Sequence, residues 1–123
     1  MPIQFTSKTE GDILIFTASG NDDNLEEVLR YSTALIEEAQ NSSLKKILCD
    51  ERNLEYEIST MDTYKLAENA ASQLTEVSAW IAIVYKPEYF EKCKFYETVA
   101  SNRGMIVFVT TSYDEALEWL KKH

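Results

Sequence analysis

Apolar residues recur along this chain with two different spacings. In Ile3–Lys8 and Asp12–Ser19 β-branched residues dominate, and Ile13, Ile15 and Thr17 alternate with Leu14, Phe16 and Ala18. A period of two predicts strands. Gly11, in the link Thr9-Glu10-Gly11, can take a positive φ, so the pair is expected to form an antiparallel hairpin at a sheet edge. The spacing then changes to three and four. Leu25, Val28, Leu29, Ser32, Leu35, Ile36 and Ala39 fall on one stripe, with Glu26, Glu27, Glu37 and Glu38 facing away. Asp23 and Glu26 have the spacing of a capping box, which predicts a helix from there to about Gln40.

Leu44–Cys49 reads as a short strand. Asp50-Glu51-Arg52-Asn53 reads as a charged loop just past its carboxyl end, and Leu54–Ile58 as a short irregular connection. Ser59 or Thr60 suits the cap of a second helix that reaches about Leu74, with Tyr64, Ala67, Ala71 and Leu74 as its apolar stripe. Val77–Tyr85 is apolar almost without a break, as expected of a central strand covered on both faces. Pro87 suits the first turn of a third helix, from Glu88 to about Asn102. Tyr89, Cys93, Tyr96 and Ala100 form one row of it, with Phe90, Phe95 and Val99 nearby, so its aromatic residues occupy more than one side. Gly104 is placed as the left-handed residue that closes this helix. Met105–Thr110 is a last strand, and Ser112 with Glu115 has capping-box spacing before a final helix lined by Tyr113, Ala116, Leu117 and Leu120.

The element order is therefore β-β-α-β-α-β-α-β-α. It predicts an α/β layer fold with a mixed, mostly parallel sheet of about five strands and about four helices. Right-handed crossovers make the last three strands parallel and put helices on the sheet. The pattern leaves strand order open. At 123 residues the chain is expected to be one domain, 1–123, that buries roughly 65–70% of its unfolded surface without help from disulfides or metal.

Charge and composition narrow the function. The net charge of −9 argues against a nucleic-acid backbone as partner. No apolar run approaches the ~18 residues of a membrane span, so no integral membrane segment is expected. Cys49 and Cys93 fall in a predicted strand and a predicted helix and are expected as buried free thiols. With no signal-peptide pattern at the start, a cytoplasmic protein is expected. The single histidine, His123, is terminal, and no second Cys/His cluster suits zinc. A nucleophilic triad needs a base beside its nucleophile, usually His. A phosphate loop needs glycines that this chain, with only Gly11, Gly20 and Gly104, does not supply. No cofactor and no enzymatic activity are expected.

Asp50 after one strand and Lys86-Pro87 after another also occur in phospho-receiver domains. Those domains start with strand-helix alternation, whereas this chain starts with a hairpin. A broader resemblance lies in the C-terminal third. Phe95-Tyr96-Glu97-Thr98-Val99-Ala100-Ser101-Asn102-Arg103-Gly104, then Val107-Phe108, then Asp114-Glu115-Ala116-Leu117-Glu118-Trp119-Leu120 resembles the SpoIIAA-like (STAS-like) family of small bacterial proteins. The element order agrees along the whole chain. The resemblance implies the fold of anti-sigma-factor antagonists, which dock a partner protein and are phosphorylated on a serine at the start of the helix after the third strand. Ser59 and Thr60 sit at the corresponding helix start, within Glu57-Ile58-Ser59-Thr60-Met61-Asp62.

The first expectation is thus a non-enzymatic regulatory domain for an unidentified protein partner. Its docking face would combine the start of the second helix with the aromatic third helix, including Ser59, Thr60, Tyr89 and Tyr96. Arg103 is a candidate for bridging helix and sheet edge or for binding an anion. A homodimer through an exposed helix or the edge hairpin is a further candidate. The alternative is a small-molecule or lipid-binding domain. Its apolar pocket would be enclosed by Trp80, Phe90, Phe95 and Trp119, with Asp50, Arg52 and Asn53 at the mouth.

Overall fold

A computed structural model describes residues 2–74 and 79–123, with Asp22 described by its backbone alone. The described residues form β1 (Gln4–Glu10), β2 (Ile13–Asp22), α1 (Leu25–Ser42), β3 (Lys46–Tyr56), α2 (Thr60–Leu74) and β4 (Trp80–Val84). A 3-10 turn (Pro87–Tyr89) leads into α3 (Phe90–Asn102), then β5 (Ile106–Thr110) and α4 (Tyr113–Lys121). The sheet order is β1-β2-β3-β4-β5. β1 and β2 are antiparallel and all other neighbours are parallel. This is the α/β layer fold with a mixed, mostly parallel five-stranded sheet and four helices that the pattern predicts.

Alternation along the strands sorts the core into two layers. Leu14, Phe16, Ala18, Ile47, Cys49, Ile81 and Ile83 face α1, α2 and α3. Ile13, Ile15, Leu48, Ala82 and Val84 face the other way, against Ala116 and Leu120 of α4. Register reinforces this, since Leu14 pairs with Ile47, Ile47 with Ile81, and Ile81 with Val107. Side chains of one face therefore stand in rows across the strands, where they pack against each other.

Three expectations are corrected. The middle strand is β3, not the apolar run at 77–85. Its described part, β4, is covered on both faces as expected but lies second from the edge, and Val77 and Ser78 lie outside the described residues. Asp50–Asn53 and Leu54–Tyr56 continue β3 instead of forming a loop and a connection. β2 is long enough to pair with them, from Ser19↔Asn53 to Asp22↔Tyr56, and this ladder outweighs the low strand preference of a charged run. The first helix is capped by Asn24, whose Oδ1 accepts the Glu27 N–H at 2.8 Å, so the cap sits one residue past Asp23. Glu27 is then free to accept the Ile3 N–H at 3.1 Å, which ties the start of the chain to α1.

The β1–β2 ladder, which ends at Gln4↔Ser19, brings Pro2 close to the chain at Gly20. Gly20 has φ +113, and a Cβ there would lie 2.3 Å from the Pro2 carbonyl oxygen. Gly20→Ala is expected to cost about 1–3 kcal/mol through backbone strain, with further loss from the clash. Urea unfolding followed by circular dichroism measures it. A midpoint equal to that of the native sequence would show that the N-terminal segment yields instead.

Candidate functional site

Two spaces open on the side of the sheet that α1, α2 and α3 cover. The outer one is an open groove of about 490 Å³ between the starts of α2 and α3, lined by Thr60, Thr63, Tyr89, Phe90, Lys92 and Phe95, with Glu88 and Glu91 beside them. Pro87 begins a 3-10 turn that swings the start of α3 over the end of β3. The Glu55 carboxylate at that end accepts Lys86 Nζ and the Tyr89 hydroxyl. The hydrogen bond to Glu55, with burial second, pushes the Tyr89 phenol up to about 12. The Tyr89 ring also packs on Tyr56, centroids 4.9 Å apart. Tyr89 is therefore a fixed wall of the groove. Phe90 is 54% exposed and Met61, one residue on from the groove's Thr60, is 62% exposed.

Ser59 and Thr60 fall at this groove. The Ser59 hydroxyl accepts the Asp62 N–H at 3.1 Å and its carbonyl accepts the Thr63 hydroxyl at 2.9 Å, so Ser59 is the cap of α2. Thr60 is exposed in the first turn. Tyr96 is not part of this surface: it turns inward and lines the second space.

Asp50, Arg52 and Asn53 are elsewhere. Asp50 and Arg52 point to the α4 side of β3, joined by two bonds of 2.8 Å, Nε to Oδ1 and Nη2 to Oδ2. The guanidinium lies 5.3 Å from the Tyr113 ring of α4. Burial alone would raise the Asp50 pKa, but the Arg52 side chain and N–H hold it below the ordinary value. Asn53 is exposed and pairs with Ser19. The Asp50–Arg52 pair fastens α4 to the sheet and lines neither of the two spaces. Arg103 bridges helix to helix, not helix to sheet edge. Its Nη2 donates to the Tyr64 hydroxyl at 2.5 Å and pairs with Glu68 at 2.9 Å, both on α2.

The second space is a narrow cavity of about 90 Å³, lined mostly by buried residues. Most of its wall is aliphatic, including Ile3, Val28, Leu35, Leu54, Ile81 and Met105. Glu51, Tyr31, Tyr56 and Tyr96 supply its main polar groups. Glu51 accepts the Tyr31 hydroxyl at 3.1 Å and also the Tyr56 hydroxyl. Burial, then the Glu51 charge, pushes both phenols well above their ordinary range. Five residues separate Glu51 from Tyr56, so on a regular strand they would face opposite sides. Thr17 pairs with Asp50 but Ser19 with Asn53, so β3 carries one extra residue here. This β-bulge re-aims the strand and lets Glu51, Leu54 and Tyr56 share one face.

The four rings expected to enclose a pocket do not line this cavity. Trp119 stacks on Phe108 at 5.3 Å on the α4 side, and Trp80 stacks on His123 at 5.8 Å. Glu51, Tyr31 and Tyr56 are not among the site residues that the sequence pattern singles out. The available signal was alternation continued past Cys49, which turns Glu51 inward and its two neighbours out.

No family model matches the chain, and no curated protein matches it by sequence. Solved structures do. An anti-sigma factor antagonist from Mycobacterium paratuberculosis superposes with TM-score 0.66 at 13% identity, over 97% of this chain and 94% of that one. The anti-sigma factor antagonist SpoIIAA in its unphosphorylated form gives TM-score 0.64 at 11% identity, over 98% of each chain. The fold is SpoIIAA-like. An uncharacterized protein with a SpoIIAA-like fold from Shewanella loihica PV-4 gives TM-score 0.55 at 20% identity, over 97% of this chain and 94% of that one. In this chain the stretch 95–104 that carries the sequence resemblance is the end of α3 and its turn. Gly104 there has φ +94, and the Glu97 carboxylate accepts the Val109 N–H of β5 at 3.0 Å.

Proposed function

We propose that this chain is a non-enzymatic regulatory domain that docks a protein partner in the groove between the starts of α2 and α3. The observation that carries this reading is the exposure of Phe90 and Met61 at two adjoining helix starts. An apolar anchor beside polar, water-facing residues is the usual make-up of a binding hot spot. The anti-sigma factor antagonists of the same fold support the regulatory class. Glu88 and Glu91 in the groove, with the net charge of −9, favour a partner that is basic at the contact. A phosphate on Thr60 would add negative charge beside those carboxylates and weaken such docking, so modification would act as an off switch.

The test is Phe90→Glu in a pull-down from the native host. An exposed position tolerates this change within about 0.5 kcal/mol of stability. A protein retained by the native sequence should bind the variant at least about 30-fold more weakly, as expected of a hot-spot residue. Equal retention by both would exclude the groove. Self-association is the competing occupant. Ile106, 41% exposed on edge strand β5, would serve it, and a doubled mass that survives Phe90→Glu would favour that occupant.

A further inference from the structure

The narrow cavity is built more carefully than a packing defect requires. Its hydroxyl and carboxylate cluster comes from three elements: Tyr31 from α1, Glu51 and Tyr56 from β3, and Tyr96 from α3. A bulge that is rare between parallel strands turns Glu51 and Tyr56 to the same side. Glu51 takes the one proton that each of Tyr31 and Tyr56 can donate. Their phenol oxygens keep the capacity to accept. Among the described residues Tyr96 makes no hydrogen bond through its hydroxyl, although the residue lines the cavity. The space thus offers one uncommitted donor and two oriented acceptors within aliphatic walls.

We propose that this cavity is a binding site for a small uncharged alcohol or phenol. Its hydroxyl accepts from Tyr96 and donates to a phenol oxygen of the Glu51 cluster, while its apolar body fills the space toward Leu35, Ile81 and Met105. The volume admits about six to nine non-hydrogen atoms, taking roughly 10–15 Å³ for each water-sized position. A carboxylate or phosphate is disfavoured, because the lysine of the lining, Lys92, already donates to the carbonyls of Ile58 and Tyr56. It would face Glu51 across an apolar space in which like charges repel strongly. A ligand with no oxygen would leave Tyr96 unpaired on burial, which is costly. Thr63 and Lys92 line both the cavity and the outer groove, so the ligand enters from the groove side. Lys92 Nζ spans that side, donating to the carbonyls of Ile58 at 2.7 Å and Tyr56 at 3.3 Å. The site does not depend on the docking reading.

The experiment is a titration of the isotope-labelled full chain with phenol and with cyclohexanol, followed by amide chemical shifts. Benzoate and benzene serve as the charged and the oxygen-free controls. The expected result is saturable shifts confined to the cavity residues, with benzoate silent and benzene weaker than phenol. Tyr96→Phe keeps the ring and removes the donor, so it should raise the Kd for phenol about five- to tenfold with an otherwise unchanged spectrum. Ala70→Leu, which extends a cavity-lining side chain into the space, should abolish the response. Linear, unsaturable shifts up to tens of millimolar would overturn the proposal. So would benzoate binding as well as phenol, or a Kd unmoved by Tyr96→Phe.

Discussion

Phe16→Ala will lower the unfolding free energy by about 3–5 kcal/mol, enough to leave little of an ordinary domain's stability. Phe16 is 0% exposed and sits in β2, beside Cys49 of the middle strand. Its ring lies 5.9 Å from Phe5 of β1, and Phe5 lies 5.4 Å from Tyr31 of α1. One side chain thus joins the hairpin, the middle of the sheet and the first helix. Removing it opens a cavity that three elements would have to close together, and a sheet held by ladders on both sides cannot move to close it. Denaturant unfolding gives the number directly. A loss below about 1 kcal/mol would mean that the layer between sheet and helices is loosely packed.

The second large effect is on pH. Tyr31 and Tyr56 are buried phenols whose pKa values lie well above the ordinary 10.0, first because of burial and then because of the Glu51 charge. Tyr96 is raised for the same reasons in the same order. Below about pH 10 these phenols keep their protons in both the folded and the unfolded chain, and they add no pH dependence. Above it the unfolded chain releases protons that the folded chain holds. Stability is therefore fully present below pH 10 and falls as pH rises from there toward the folded-state pKa. The slope is up to about 1.4 kcal/mol per pH unit for each phenol. Urea melts at pH 8 and pH 11 should show a steep loss for the native sequence. Tyr31→Phe loses the Glu51 hydrogen bond at pH 8 but should show a shallower fall to pH 11. Parallel slopes for the two would mean that Tyr31 titrates as an exposed phenol.

The features legible in the sequence were those set by local chemistry. Gly11 in the hairpin link and Gly104 at the end of α3 have the expected positive φ, +62 and +94. Ser112 has the spacing of a cap, and its hydroxyl accepts the Glu115 N–H at 3.2 Å. The two interleaved sets, Ile13/Ile15 and Leu14/Phe16, face the two layers because strand geometry leaves no other choice. The middle of the sheet was not legible. Asp50–Asn53 looks like a loop because local preference sees charge, whereas the strand there is held by pairing with β2, a long-range partner that no window of sequence contains. The same limit hid the candidate cavity. Asp50 and Arg52 read as charged residues at a pocket mouth, yet they satisfy each other on the α4 side. Glu51 between them looks ordinary until the bulge aims it at Tyr31 and Tyr56. The groove was legible in part, since Thr60 and Tyr89 line it while Tyr96 of the same helical row turns inward.

The central claim is that a partner protein is held at the starts of α2 and α3. A photo-crosslinking amino acid placed at Phe90, in the protein expressed in its own host, tests it most directly. The control carries the same group at Thr17, an exposed position of β2. The account predicts a cross-linked product with a second protein from position 90 and none from position 17. A product from position 17 alone, or no product from position 90, would contradict it.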